Sequence, residues 1–286
     1  MIHVEIATPE SFESVLPLFD VFRNPPIPPE QWRRLFHYSW PCEEKMRGFM
    51  LKDGDRVVGF FGTILYERTI DGRTERFANL TSWVTLPEYR NHSLQLFQAV
   101  MSIEDRTLTC HTAIPAIDPL YRRFGFKDLE TKWIVLLPLP SIWRPERWFR
   151  GSITTNPEVI ATELRGVQRE FFVHLRETDC RQMLIQHRGE KCHVVFSVTK
   201  GRRAHFSRIH HISNRELFRE CLGHIRWRMG MQNRTALLAI DERLFQGPLP
   251  VYSRETHLAQ VALYRSKTLR PEQIDNLYSE VTLLGL

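Results

Sequence analysis

The sequence predicts an α/β (α+β) protein made of two halves in tandem, each a sheet flanked by helices. Three observations carry that expectation. Turn residues and hydrophobic periodicity over the first 137 residues give the order β-α-α-β-β-β-α-β-α-β. Within that order, at 83–97, a strand stops at Pro87 and passes through a short basic turn into an amphipathic helix. From about residue 152 the chain again gives paired strands, a helix and further strands. At 286 residues, 42% hydrophobic and 11% aromatic, it has enough apolar side chain for one large or two modest cores.

The opening His3-Val4-Glu5-Ile6-Ala7 alternates as a strand does. Thr8-Pro9-Glu10 then supplies an N-cap, a proline suited to a first turn and an acid at the positive end of the dipole, which predicts a helix to about residue 22. Asn24-Pro25-Pro26-Ile27-Pro28-Pro29 breaks it, and Trp32, Leu35 and Phe36 set helical spacing over 30–38. Asp53-Gly54-Asp55 is a hairpin turn between strands at 47–52 and 56–68, and Asp71-Gly72 turns the chain into another strand over 74–86. A helix over 93–106, a strand over 107–112, a helix over 115–124 and a strand over 126–137 complete this half. Pro115 suits the first turn of the later helix and Gly125 its C-terminal cap.

Leu136-Leu137-Pro138-Leu139-Pro140 and the basic, aromatic run through Trp143, Arg147 and Trp148 read as a linker over 141–151, between a domain at 1–140 and another at 152–286. Two readings stay open for the linker: aromatic residues packed between the halves, or a surface that meets a membrane or an apolar partner. Beyond it, strands are expected at 182–186 and 191–199 around the turn Arg188-Gly189-Glu190, with a third at 204–212. Ser213-Asn214 caps a helix to about residue 228, and strands follow at 235–240 and 257–265. The order repeats the sheet–helix–strand core of the first half without a recognisable cofactor loop, so the second half is expected to be a degenerate copy.

Two segments carry chemistry. In Leu86-Pro87-Glu88-Tyr89-Arg90-Asn91-His92-Ser93-Leu94-Gln95-Leu96, the helix that starts near Ser93 presents unpartnered N–H groups and the positive end of its dipole, where an anion is expected. The second is Ile114-Pro115-Ala116-Ile117-Asp118-Pro119-Leu120-Tyr121-Arg122-Arg123-Phe124-Gly125-Phe126. Together they resemble the acetyl-CoA motif and the tyrosine-bearing helix of the GNAT acyltransferase superfamily, whose mixed central sheet is flanked by helices in the order derived above. In that family the first motif runs proline, acidic residue, tyrosine, arginine, then a glycine-containing turn that binds the CoA pyrophosphate. Arg90 fits; Ser93 and Gln95 occupy the two glycine positions, where glycine would let backbone approach a ligand closely. Ser93 can cap the helix and still turn its hydroxyl to phosphate, while Gln95 is long enough to enter the cofactor path.

The resemblance implies that acetyl-CoA or another acyl-CoA binds as co-substrate along Leu86, Arg90, Asn91, His92, Ser93, Leu94, Gln95 and Leu96, with the N–H groups of 91–96 on the pyrophosphate. It also places Tyr121 near the thioester sulfur, as general acid to the departing thiolate; a core tyrosine with a wet hydroxyl is the competing reading. His111 is the first candidate for the base, since it ends the strand between the motifs, where ligands meet in open α/β sheets. A buried histidine bonded to a carbonyl is the alternative, and Glu67 and Glu75 are weaker candidates. Arg122 and Arg123 offer further phosphate contacts, and Asp118 an orienting contact for its helix. Cys110 and His111, like His210 and His211, are strand neighbours that point to opposite faces, so neither pair makes a thiolate couple or a chelate. No metal is expected.

Lys and Arg number 39 against 33 Asp and Glu, a net +6 that favours anionic partners without singling one out. Arg202-Arg203 and 226–228 add basic character without a recognition motif, which argues against nucleic acid. Five scattered cysteines (Cys42, Cys110, Cys180, Cys192, Cys221) read as free thiols. With neither an apolar run of spanning length nor a signal-like start, a cytoplasmic location is expected. The expected function is acyl transfer from acyl-CoA to an amine or hydroxyl of a small-molecule acceptor. A loose resemblance to GNAT-like proteins that accompany bacterial exopolysaccharide gene sets suggests a sugar. Two alternatives stand beside it: a GNAT-shaped protein that binds or scaffolds without catalysis, and acyl transfer from acyl carrier protein. A filled cleft crossed by Gln95 would favour the former, and an open apolar tunnel beside Tyr121 the latter.

Overall fold

The computed structural model describes residues 1–22, 26–139, 150–200, 205–245 and 247–286, without the side chains of Lys200 and Ala259. It forms two compact units, one of Met1–Leu129, Gln260–Gln273 and Tyr278–Leu284, the other of Glu130–Ala259, Ile274–Leu277 and Gly285–Leu286. The first unit therefore takes chain from both ends of the sequence, and the second is made of the middle with two short pieces near the end. Of the stretch 141–151 read as a linker, all but Arg150 and Gly151 lies outside the described residues, as does Arg202-Arg203.

The first unit is built on β1 (Ile2–Ala7), β2 (Gly48–Asp53), β3 (Arg56–Ile70), β4 (Arg73–Thr85), β5 (Thr107–Ala113) and the end of β12 (Ser253–Arg265), side by side in that order. The first four pair antiparallel, β4 and β5 parallel, and β5 and β12 antiparallel. The hairpin turns form where the sequence puts them, with Gly54 at φ 57, Asp71 at φ 50 and Gly72 at φ 77. Strand β3 is buried on both faces over most of its length, as a central strand must be. On one face Phe61, Leu65, Leu80 and Leu108 pack against Leu96, Phe97 and Val100 of α3 (Ser93–Met101). On the other, Phe19 stacks on Trp32 at 4.2 Å, Phe36 on Phe60 at 5.5 Å and Phe12 edge-on to Phe36 at 5.4 Å. Each such buried ring contributes about 1.5–3 kcal/mol over exposure.

Several helices are shorter than the periodicity predicts. The helix expected to run to residue 22 is a 3-10 turn, Pro9–Ser11, then α1 (Phe12–Val15), then a second 3-10 stretch, Leu16–Val21. Pro17 has no N–H to donate, so the α ladder does not continue through it. The next helix, α2 (Pro29–Arg33), stops before 38. Helix α3 ends at Met101 rather than 106: the Ser102 hydroxyl donates to the Ala99 carbonyl at 2.7 Å, and Asp105 takes φ 55. Helix α4 (Asp118–Arg123) follows a 3-10 turn, Pro115–Ile117, and closes on Gly125 at φ 83, whose N–H donates to the Arg122 carbonyl at 3.0 Å.

The second unit repeats the pairing scheme. Its strands β7 (Ser152–Thr154), β8 (Arg181–His187), β9 (Glu190–Lys200) and β10 (His205–Ile212) pair antiparallel in turn. Strand β10 pairs parallel with β11 (Leu237–Asp241), and β11 antiparallel with the end of β6 (Lys127–Leu136). Helix α7 (Arg215–Asn233) joins the two parallel strands, as α3 joins β4 and β5, and packs Leu217, Phe218, Ile225 and Met229 onto Val194, Phe196, Ile209 and Ile240. The second unit thus repeats the strand pairing of the first, but it begins at Glu130 rather than 152, because β6 belongs to it. The sixth place in each sheet is filled from the far part of the chain: β12 beside β5, β6 beside β11. The sequence reading gave no sign of β7, α5 (Pro157–Glu163), α6 (Gly166–His174) or α8 (Glu280–Leu284). Among the described residues no helix is long and apolar enough to cross a membrane, and no group of three or more His, Cys, Asp or Glu is placed to hold a metal.

Candidate active site in the first unit

Parallel pairing of β4 and β5 lasts for three residues and ends at Asn79 opposite Thr109. The Asn79 amide locks this last rung, with Nδ2 donating to Thr109 Oγ1 at 3.1 Å. Past it both strands bulge. Ser82 takes φ 53, and two residues of β4 stand against Phe61, while β5 carries an extra residue between Cys110 and Ala113 against β12. The strands then separate and leave a cleft of about 580 Å³. Phe61, Leu80, Trp83, Ala113, Ile117 and Tyr121 give it apolar walls, and Thr81, Thr85, Arg90, Ser93 and Thr112 its polar groups.

Three of the ten expected site residues therefore line one cavity: Arg90, Ser93 and Tyr121. Arg90 is exposed, and its guanidinium makes neither hydrogen bond nor ion pair to the described residues. The Ser93 hydroxyl accepts from Thr85 Oγ1 at 3.2 Å, which ties the helix start to the end of β4. Its N–H is not unpartnered as expected, because a 3-10 turn, Pro87–His92, runs directly into α3 and the Ser93 N–H donates to the Arg90 carbonyl. The helical start thus lies a turn earlier, at Pro87. Gln95 does not enter the cleft: its amide turns to His92 Nδ1 at 3.2 Å, and both side chains stand outside. Leu86 packs partly into the core, Leu96 is fully buried, and Asn91 and Leu94 face solvent. Arg122 is held by Asp118 of its own helix at 2.9 Å and by Asp128 at the start of β6 at 2.6 Å, so it is committed to these carboxylates rather than to a phosphate.

Tyr121 is 1% exposed, its ring edge-on to Phe97 at 5.4 Å and to Phe126 at 4.9 Å. Burial, then the neighbouring Cys110, pushes its phenol far above the usual value. Burial also pushes the Cys110 thiol up to about 12, so it is a protonated neighbour in hydrogen-bonding contact with Tyr121, not a nucleophile. His111 is buried in β5 and does not line the cleft.

Sequence reasoning missed Glu280. It opens α8, the segment that returns to the first unit from the end of the chain, pinned there by Tyr278, whose ring meets Trp40 at 4.7 Å and Tyr66 at 5.1 Å. The Glu280 N–H donates to Asn79 Oδ1 at 3.2 Å, and Thr112 Oγ1 donates to Glu280 Oε1 at 2.7 Å. The side chain is buried, which pushes its pKa up to about 7. No local pattern marks it, since its partners lie on strands at the far end of the sequence.

The matching region of the second unit is tied up internally. Asp241, which ends β11, binds Arg243, whose guanidinium also donates to the Ile274 carbonyl at 2.7 Å and Asn276 Oδ1 at 3.1 Å. His210 and His211 part as expected, His210 to Ser197 Oγ at 2.9 Å and His211 to Asp275 Oδ2 at 2.7 Å. Helix α7 starts three residues after β10 and is capped by Asn214, whose Oδ1 accepts from the Leu217 N–H at 3.0 Å.

No family model and no curated protein matches the sequence. Solved structures do match it in fold. A conserved protein of Enterococcus faecalis V583, described as a probable N-acyltransferase, is 12% identical over 93% of this chain and 72% of its own, with a TM-score of 0.60. A GCN5-related N-acetyltransferase from Anabaena variabilis ATCC 29413 is 11% identical over 93% and 72%, with a TM-score of 0.57. N-myristoyltransferase of Saccharomyces cerevisiae, solved with bound myristoyl-CoA, is 9% identical over 100% and 84%, with a TM-score of 0.53. The chain has a GNAT fold.

Proposed function

We propose that the first unit is an acyltransferase that takes an acyl group from acyl-CoA and passes it to an amine or hydroxyl. The observation that carries this reading is the open cleft in the β4–β5 separation, with an unpaired Arg90 and Ser93 among its polar groups and the Tyr121 phenol in its wall. The fold likeness to acyl-CoA enzymes supports it, and fold alone does not name the reaction.

In this reading the pantetheine arm lies between the separated strands, where main-chain groups past Asn79 and Thr109 are no longer paired with each other. Arg90 takes a phosphate of the donor as a charge-assisted partner. With Ser93 and Gln95 in place of glycines and the Ser93 N–H already used, Arg90 bears more of the phosphate recognition than an amide-lined loop would require. Tyr121, protonated at every working pH, donates a hydrogen bond to the sulfur as the C–S bond breaks. The acceptor enters from the side of Thr81 and Thr112. A sugar amine or hydroxyl is the acceptor class that the sequence resemblance adds.

A cleft filled by Gln95 would have favoured a protein without catalysis, and Gln95 stands outside it. Calorimetry with acetyl-CoA and longer acyl-CoAs tests the reading. Saturable binding weakened about tenfold or more by Arg90→Ala is expected, as for loss of one charged hydrogen bond. An absence of binding by any acyl-CoA would refute it and turn the search to an acyl carrier donor.

A further inference from the structure

We propose that Thr112 and Glu280 form a proton relay that deprotonates the acceptor in this cleft. The inference rests on the acyl-transfer reading above and adds the missing base. Thr112 lines the cleft and is half-buried, so it joins the space an acceptor must occupy to the Glu280 carboxyl behind it. Its single hydroxyl proton is already given to Glu280 Oε1 at 2.7 Å, which leaves the oxygen lone pairs to receive a proton from the cleft side. Glu280 Oε2 has no hydrogen-bond partner among the described residues, so the carboxyl keeps lone pairs that no donor occupies. Asn79 holds the Glu280 N–H at 3.2 Å and the last β4–β5 rung at once, so the carboxyl is fixed to the point where the strands part.

The step balances as follows. The acceptor nitrogen or oxygen forms a bond to the thioester carbonyl carbon while its proton passes to Thr112 Oγ1, and the Thr112 proton passes to Glu280. The C–S bond breaks with its electron pair on sulfur, which takes a proton from Tyr121 or from water. Glu280 releases its proton to solvent, and Tyr121 regains any it gave, before the next turnover. Thr112 is the group that touches the acceptor; Glu280 acts through it.

Other titratable groups face Glu280 from the elements packed around it. Strand β5 brings the Cys110 thiol and His111, whose main-chain amide is turned to the carboxylate, and α4 brings the Tyr121 phenol. Strand β4 offers only the neutral Asn79, and the Arg34 guanidinium binds the far end of α8 through the Leu283 carbonyl at 3.1 Å. Cys110 and Tyr121 stay protonated through neutral pH, so neither supplies a rising rate limb there.

The test uses the full chain, acetyl-CoA and palmitoyl-CoA as donors, and glucose or water, which do not ionise in this range, as acceptor, with free-thiol release followed from about pH 5.5 to 9. Wild type is expected to show a limb rising through about pH 7, absent in Glu280→Gln, with the rate at least tenfold lower and acyl-CoA binding by calorimetry unchanged. Thr112→Val lowers the rate similarly, and it serves as the test if Glu280→Gln fails to fold. Glu280→Asp restores part of the rate, whereas His111→Gln keeps the limb. A limb that survives Glu280→Gln, or vanishes only in His111→Gln, overturns the relay, as does bound acyl-CoA that releases thiol no faster than in buffer. Loss of acyl-CoA binding in wild type overturns the acyl-transfer reading itself, a separate and recognisable failure.

Discussion

The Tyr121 phenol and the Glu280 carboxyl are both buried in one unit, and burial moves both pKa values up, yet with opposite consequences at neutral pH. The phenol is always a donor. Tyr121→Phe removes that donor while the ring keeps its contacts with Phe97 and Phe126. We expect thiol release to fall about 100-fold, with acyl-CoA affinity little changed and stability lower by about 1 kcal/mol, read by steady-state kinetics and denaturant unfolding. The carboxyl instead titrates. Its folded pKa of about 7 lies above the unfolded 4.5, so between those values the native state keeps a proton that the unfolded chain has lost. Stability therefore falls as pH rises through that window, by on the order of 3 kcal/mol in all. Glu280→Gln should flatten this loss, as seen in urea unfolding at a series of pH values; an unchanged slope would refute the burial of an ionisable group there. Buried Glu130, also raised to about 7, adds a loss of the same sign in the other unit, so some slope remains in the variant. The contrast also explains what the sequence displayed of the site. Tyr121, Arg90 and Ser93 sit in contiguous motifs, whereas Glu280 meets Thr112 and Asn79 across 168 and 201 residues and has no local signature.

Both parallel strand pairs are bridged by a helix, but the two helices begin in different ways, and the difference has consequences that can be measured. Helix α7 has a side-chain cap: Asn214 Oδ1 takes the Leu217 N–H, and its Nδ2 donates to Glu190 Oε2 at 3.0 Å. Asn214→Ala should cost about 1 kcal/mol in denaturant unfolding. At α3, His92 makes no capping bond, because the preceding 3-10 turn already supplies the Arg90 carbonyl to Ser93. His92→Ala should stay within about 0.5 kcal/mol of wild type. If the two substitutions cost the same, the 3-10 turn is not what satisfies the start of α3. The elements that were legible in advance share a cause. Strands bounded by Asp71-Gly72 or Arg188-Gly189 were read nearly to the residue, because positive φ is demanded there and the chain supplies residues that accept it. Helix ends were misread where short polar side chains and prolines decide them, at Pro17 and Ser102, since apolar spacing continues past both. The short elements β7, α5 and α8 give too few residues for a period to show, whereas α6, as long as α3, has only Phe171 and Phe172 buried and so carries a weak apolar stripe.

At the scale of the molecule, strand order was legible and the ownership of strands was not. A sequential reading gives the first half all six of its strands and leaves 257–265 to the second, because β6 follows β5 after a single helix, as a sixth strand would. In the structure the place beside β5 belongs to β12, in register from Val261↔Ala113 to Arg265↔Leu108, and the place beside β11 belongs to β6, from Leu238↔Leu136 to Asp241↔Trp133. Both strands begin polar and carry an apolar run near the end, Trp133 to Leu136 and Val261 to Tyr264, so nothing in their composition assigns them to one unit rather than the other. The consequence concerns how the chain folds. A fragment of residues 1–139 would keep β1 to β5 and every motif residue, but it would lose β12, the Tyr278 ring and Glu280, and would leave β5 as an unpaired edge with Leu108 and Asn79 uncovered. It should be poorly soluble or unfold without a cooperative transition, whereas the full chain unfolds cooperatively. Adding a peptide of residues 253–286 in trans should restore part of the protection of β5 amides, measured by hydrogen exchange. A fragment 1–139 that is monomeric, cooperative and binds acyl-CoA like the full chain would show that the first unit completes its own sheet, and that the borrowed strand is dispensable to both fold and site.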